Sequence, residues 1–411
     1  MRRKALALSA ATLNLGRVLS LTLTLTLTLV LTLGLAGCAR SAGGDGAKAA
    51  GPTPPPPAPA GTPPFVAIDM KDATTGWATT AEVDPLGSMA SSIQTLWRTT
   101  DGGVTWKDVT PRFDPGAIVG PAFFLDASAA WLVVGRPDIN AVAVFRTFDG
   151  GAKWRATTVS TWEFPCVEGF TATDADHVWM LATYGAAMGS EPTDIFASVD
   201  GGYNWRRVAS ARATDKPSAG VLPYAGNKMG LTFADEKSGW INGNSHEPGM
   251  WLQATVDGGK AWAALSLALP SDYTPSYGSL DTLPPIFFKG ADGAKRDGVL
   301  PVRVNSEAKP PLFHVTHDAG QNWSLEASPK EKVATWSFVD AGHGFALGGG
   351  KLWVTTDGCQ TWTELHPNYD LNEVTQIDFV SDQLGWAIGK GFFIKTVDGG
   401  KTWGPVTAAG K

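Results

Sequence analysis

The residues of this sequence whose type and spacing admit chemistry are its aspartates. Asp101, Asp149, Asp200, Asp257, Asp318, Asp357 and Asp398 recur at separations of 48, 51, 57, 61, 39 and 41 residues. Each stands third in an eight-residue phrase: TTDGGVTW, TFDGGAKW, SVDGGYNW, TVDGGKAW, THDAGQNW, TTDGCQTW and TVDGGKTW. Acids beside glycine raise the possibility of calcium, but one carboxylate per turn falls short of the roughly six to eight oxygens that Ca²⁺ takes. A second set, Asp174, Asp235, Asp340 and Asp378, lies in or just after apolar runs. Two such carboxylates across a channel would suit acid–base hydrolysis of a glycosidic bond. Asp is equally a turn former after a strand, and that is the reading adopted here. The six histidines do not cluster, and His314 and His317 face opposite ways on a strand. No metal and no other cofactor is expected.

The elements that position these acids follow from a second phrase. In the last unit, IDFVSDQLGWAIGKGFFIKTVDGG gives an apolar strand, a turn, a second strand opening at Gly385-Trp386, and a third at Phe392-Phe393-Ile394. Gly76-Trp77, Ala130-Trp131, Val178-Trp179 and Gly239-Trp240 repeat the opening, the sixth unit has Gly344-Phe345, and the fifth has no aromatic in GVLPVRVN. Each unit reads as strands A to D, with the Asp phrase between C and D. Seven such units bury their apolar faces by stacking radially, which predicts an all-β, seven-bladed propeller of four-stranded antiparallel blades over residues 65–411.

In that frame Asp accepts turn amides and glycine supplies φ > 0. Trp106, Trp154, Trp205, Trp262, Trp323, Trp362 and Trp403 should anchor strand D by burying their rings. Cys359, at a glycine position, should be strained. Cys166 and Cys359 lie in different blades and are expected to be free thiols.

The phrases resemble the Asp-box, or bacterial neuraminidase repeat. The pairing of F-x-D and Gly-Trp with T-x-DGG-x-TW resembles the photosystem II stability and assembly factor family over about 340 residues. That resemblance implies an exported, assembly-factor-like propeller. Asp-boxes also occur in sialidases, which would imply a three-arginine clamp near the axis. The predicted innermost strands hold no arginine and the Arg-Ile-Pro signature is absent, so a typical sialidase is not expected.

Met1-Arg2-Arg3-Lys4, Arg17 and the run VLSLTLTLTLTLVLTLGLAG lead to Leu35-Ala36-Gly37-Cys38. This reads as a lipoprotein signal peptide over 1–37, with Cys38 lipidated. Residues 38–64 are a Pro/Gly/Ala-rich tether spanning at most about 80 Å. The expected location is a bacterial cell envelope, lipid-anchored to a membrane and outside the cytoplasm. The whole chain carries −6, and without the four basic residues of the signal 29 basic face 39 acidic residues, or −10. Nucleic acid is not an expected partner, and the protein should be a monomer.

With the Asp phrases at the bottom, the B–C and D–A connections lie on top. Trp162, Tyr184, Tyr224, Tyr273, Tyr277 and Tyr369 fall in or beside them. Loop aromatics are favoured interface anchors. The function expected is therefore non-catalytic binding of an extracytoplasmic protein through the top face of blades 3 to 5. The alternative is a carbohydrate-active propeller acting on glycans at the same place.

Overall fold

Each unit lays down an apolar strand, turns on an acid, and returns through a strand that opens with small and aromatic residues. In the computed structural model these units are seven antiparallel sheets arranged as the blades of a β-propeller. The structure describes residues 52–407 apart from 82–92, 115–116, 187, 246, 277–278 and 307–308. The signal segment, Cys38 and Tyr277 lie outside the described residues.

The inner strands A of blades 1 to 4 are Ala67–Met70, Ile118–Phe124, Cys166–Ala172 and Asn227–Phe233. In blade 5 strand A is split into Leu280–Thr282 and Ile286–Phe288, and blades 6 and 7 use Thr335–Phe338 and Val374–Phe379. The order within each blade is A-B-C-D, and the two pieces of strand A in blade 5 both pair with its strand B.

Strand B of one blade meets strand A of the next through stacked rings. Trp179 lies 3.9 Å from Phe233 at 7°, Trp77 lies 5.1 Å from Phe124 at 11°, and Phe345 lies 3.6 Å from Phe379 at 8°. In blades 4, 6 and 7 the residue before the aromatic must be Gly, because a Cβ at Gly239, Gly344 or Gly385 would come within about 2.5 Å of the phenylalanine ring in strand A of the same blade, whereas blades 2 and 3 place Ala130 and Val178 there. The strand B aromatic of one blade and the strand A phenylalanine of the next are thus the two halves of an inter-blade contact.

The Asp phrase builds the same turn seven times. The hydroxyl of its first residue donates to the Asp at 2.7 to 2.9 Å in every blade. The Asp also accepts the N–H four residues on, as Asp101 does from Thr105 and Asp398 from Thr402. The N–H of the fourth residue reaches back to the A–B turn of its own blade, from Gly102 to Thr74 in blade 1 and from Gly399 to Gln383 in blade 7. Ala319 in the fifth phrase and Cys359 in the sixth take φ of 58° and 70°, which glycine would adopt without strain. The tryptophans divide. Trp262 and Trp403 are buried, whereas Trp106, Trp154, Trp205, Trp323 and Trp362 are half-buried. Trp154 and Trp362 donate to Val109 and Ala327 of the preceding blade, so ring burial within the blade is not their common role.

Blade 7 closes on blade 1 without exchanging a strand. The Met70 N–H donates to Asp378 at 2.6 Å, and the Trp386 indole donates to Gly102 at 3.0 Å. The proline-rich segment joins this seam early. Thr53 forms a parallel bridge with Tyr369, and the Ala58 N–H donates to Gly391 at 3.0 Å. Thr53 and Ala58, within the segment 38–64 expected as a tether, thus make contacts to blade 7.

Candidate binding site on the top face

Three top connections converge over blade 3. The first carries Trp162 from blade 2 to strand A of blade 3. The B–C connection of blade 3 carries Tyr184, and the segment leaving its strand D carries Arg212. The Trp162 ring is 52% exposed and lies 4.8 Å from that of Tyr184, tilted by 51°. The Arg212 guanidinium sits 5.0 Å from the Trp162 ring and 5.6 Å from the Tyr184 ring.

What holds these groups is a buried acid. Asp194, at the start of strand C (Thr193–Ser198), has a side chain only 1% exposed. It accepts the Tyr184 hydroxyl at 2.8 Å and Arg212 Nη2 at 2.7 Å, with Arg207 Nη1 at 3.6 Å. A second Arg212 nitrogen donates to the Thr193 carbonyl at 2.6 Å. Burial first, then the hydrogen bond to Asp194, push the Tyr184 phenol far above its ordinary range, so it stays a neutral donor. Asp194 thus ties Tyr184 and Arg212, the two groups that the Trp162 ring packs against, to one point.

Beneath it the chain is tied by Lys228, itself 1% exposed. Its ammonium donates to the carbonyls of Tyr224 and Gly226 at 2.8 Å each, and its backbone N–H donates to Glu191 at 2.9 Å. Burial pushes Lys228 down to about 8. The sequence marked Trp162 and Tyr184 as candidate anchors, and it did not mark the residues that the structure places with them, Arg212, Asp194, Glu191 and Lys228. Asp194 and Lys228 each stand in a strand whose periodicity gives no sign that a charge is buried there.

The other expected anchors do not join the patch. Tyr224 lines a cavity of about 740 Å³ with Leu222 and Trp262, where the blade 3 to blade 4 connection runs along the outer edge of blade 4 and Gly220 bridges Trp262. Tyr273 packs against the Leu280 cluster under the Lys309 ammonium, 4.5 Å from its ring. Tyr369 packs on the blade 7 core beside the N-terminal segment. Tyr277 lies outside the described residues.

The central channel holds the other chemistry. A space of about 700 Å³ is lined by Asp69, Lys71, Glu168, Lys289 and Lys295, among others. Asp174, Asp235 and Asp340 hold A–B turns, each accepting two backbone N–H groups at 2.7 to 2.8 Å. Asp378 differs, because it lies inside strand A facing blade 1. Enclosure by the ring of strands, then the nearby charge of Asp69, push its carboxyl up to about 7. Asp69 is raised too, chiefly by the same enclosure, although Lys71 pairs with it at 2.7 Å and its side chain is 41% exposed. Among the described residues no cluster of three or more His, Cys, Asp and Glu has the arrangement of a metal site.

No protein-family model matches the chain, and no curated protein matches it. Among solved structures, "YCF48 bound to D1 peptide" is similar at 19% identity, covering 84% of this chain and 97% of that one with a TM-score of 0.52. YCF48 from Cyanidioschyzon merolae is similar at 17% identity, covering 83% and 98% with a TM-score of 0.53. The likeness is one of fold. YCF48 propellers are among its structural neighbours, and the architecture expected from the repeats is the one found.

Proposed function

We propose that this is a non-catalytic, assembly-factor-like binding propeller that captures an extracytoplasmic protein at the Trp162–Tyr184–Arg212 patch, held to a bacterial envelope membrane by a lipid on Cys38. The observation that carries the reading is the half-exposed Trp162 ring, fixed against Arg212 and Tyr184 by one buried acid. Tryptophan, tyrosine and arginine are the residue types in which interface energy concentrates, and a preordered anchor loses little side-chain freedom on binding. A neighbour of the same fold seen with a peptide supports a protein as the partner class.

The test places a photoreactive phenylalanine analogue at position 162 in the native host. The reading expects crosslinks to one or a few envelope proteins, competed away by excess purified protein but not by its Trp162→Ala, Arg212→Ala form. Crosslinks that this variant competes equally well would overturn it. For the anchor, Cys38→Ala should release the protein or leave an unprocessed precursor, and normal membrane fractionation of that variant would remove the lipid.

A second reading has one observation behind it. Asp378 accepts the Met70 N–H next to Asp69, which lines the channel space, so two carboxylates lie near each other at this seam, as a carbohydrate-active propeller would use. Release of sugars from envelope polysaccharide, lost in Asp378→Asn, would favour it over the first.

A further inference from the structure

The outer edge of blade 4 carries a fifth strand that is begun and then abandoned. Strand C of this blade is Trp251–Thr255 and strand D is Ala263–Ala264. The connection arriving from blade 3 runs beside strand D, and the Trp262 N–H donates to the Gly220 carbonyl at 3.1 Å in an antiparallel bridge. That register puts Ser218 opposite Ala264, but no bond forms between them. The Val221 N–H donates to the Ser218 carbonyl in a turn, and Gly220 takes φ of 82°, which carries the chain off the edge.

Ala264 is left with both main-chain groups turned outwards. It stands opposite Gln253, and the Leu265 N–H donates to the Leu252 carbonyl at 3.0 Å, so the Gln253–Ala264 pair is one that exchanges no bonds between strands C and D. Neither the N–H nor the carbonyl of Ala264 has a partner among the described residues, and the residue is exposed.

A second unused group lies beside it. Gln253 is 6% exposed and projects from the same face as Ala264 into the cavity of about 740 Å³ walled by Leu222, Tyr224 and Trp262. Its amide has no partner among the described residues, yet it is open to the cavity, whereas orphaned atoms such as Asn242 Oδ1 are sealed. A primary amide this deeply placed calls for both a donor and an acceptor.

We infer that this groove binds an extended peptide, which adds to strand D as the fifth strand of blade 4. One peptide residue exchanges its N–H and carbonyl with those of Ala264, and its side chain, a primary amide such as asparagine's, reaches over the Ala264 methyl to the Gln253 amide. Two residues to either side the peptide's side chains point the same way, and there Leu222, Tyr224 and Trp262 favour apolar groups. The site is distinct from the Trp162 patch and requires no occupant there.

The test follows fluorescence anisotropy of a tagged, capped Val-Thr-Asn-Thr-Val peptide titrated with the full chain. Saturable binding is expected, and it should weaken about tenfold when the central residue is N-methylated, because the N–H that Ala264 accepts is gone. Ala264→Pro should weaken it similarly; the Ala264 N–H faces outwards, so proline there breaks no ladder bond. Gln253→Leu should erase the preference for asparagine over leucine at the centre of the peptide. If either variant fails to fold, the N-methylated and leucine-centred peptides on the unchanged protein decide the same two contacts. No saturable binding, equal binding of the N-methylated peptide, or displacement of the peptide by cellopentaose would overturn the site.

Discussion

Gln376 holds Ile68 by both of its backbone groups: Oε1 accepts the Ile68 N–H and Nε2 donates to the Ile68 carbonyl, each at 2.8 Å. One primary amide thus does for blades 7 and 1 what a strand does for its neighbour, at the place where the last blade meets the first. Gln376→Ala removes both bonds. With a net value of about 1 kcal/mol for each hydrogen bond, it should lower stability by about 2 kcal/mol. Urea denaturation checks this, and a midpoint equal to the parent's would mean the seam is held elsewhere.

The pH dependence has a defined sign. Asp378 titrates at about 7 in the folded protein, above its ordinary value of 3.8. Between these values the folded state keeps a proton that the unfolded state has lost, so this contribution is present at low pH and disappears as pH rises towards 7. Asp69 shifts the same way. The turn acids act oppositely: Asp200, lowered to about 2 first by the Asn204 N–H, loses its contribution as pH falls below the ordinary carboxylate range. Urea midpoints from pH 4 to 8 should therefore decline more steeply in the parent than in Asp378→Asn. Parallel profiles would contradict the assignment.

The two non-glycine residues in the irregular turns should respond differently. Ala319→Gly relieves φ 58° at a half-buried methyl and should stabilise by about 1 kcal/mol. Cys359→Gly relieves φ 70° by a similar amount. Its thiol, however, is fully buried against Val299, Phe313 and Val315, and the lost packing offsets about 1 kcal/mol or more. The gain expected from sequence alone should vanish. Thermal melts of the two variants measure this, and equal rises in Tm would show that the Cys359 packing contributes nothing.

Truncating the phrase tryptophans should grade by burial. Trp403→Ala, at 3% exposure, should cost about 3 to 5 kcal/mol, and Trp362→Ala, half-buried and tied to Ala327 of blade 5, clearly less. Chemical denaturation of the pair decides it, with equal losses counting against the structure's ordering.

The blades were legible because turn chemistry and Gly-aromatic openings repeat locally, and repetition fixes strand order and blade number together. Asp174, Asp235 and Asp340 obeyed the turn rule. Asp378 broke it, because it stands three positions earlier, one residue before Phe379 where Asp235 and Asp340 stand two after Phe233 and Phe338, so it faces blade 1 across the seam, and a single sequence does not show which blades meet there. Trp162 and Tyr184 were visible as loop aromatics. Arg212 and Asp194 were not, since their pairing depends on three connections meeting in space. Tyr224 and Tyr369 carried the same composition signal as Trp162, but their loops turn back onto the protein, which loop length does not reveal.

The segment from Thr53 to Ala58 fastens to blade 7 at Tyr369 and Gly391 before the chain enters strand A of blade 1. A pull on the chain from its N-terminal side is therefore borne first by this outer strip. The strip must peel before load reaches Ile68 and Met70, the residues whose release would open the circle. Under mechanical force the seam should give way in two steps, with the peripheral attachment acting as a sacrificial fastening that leaves the seven-bladed body shut.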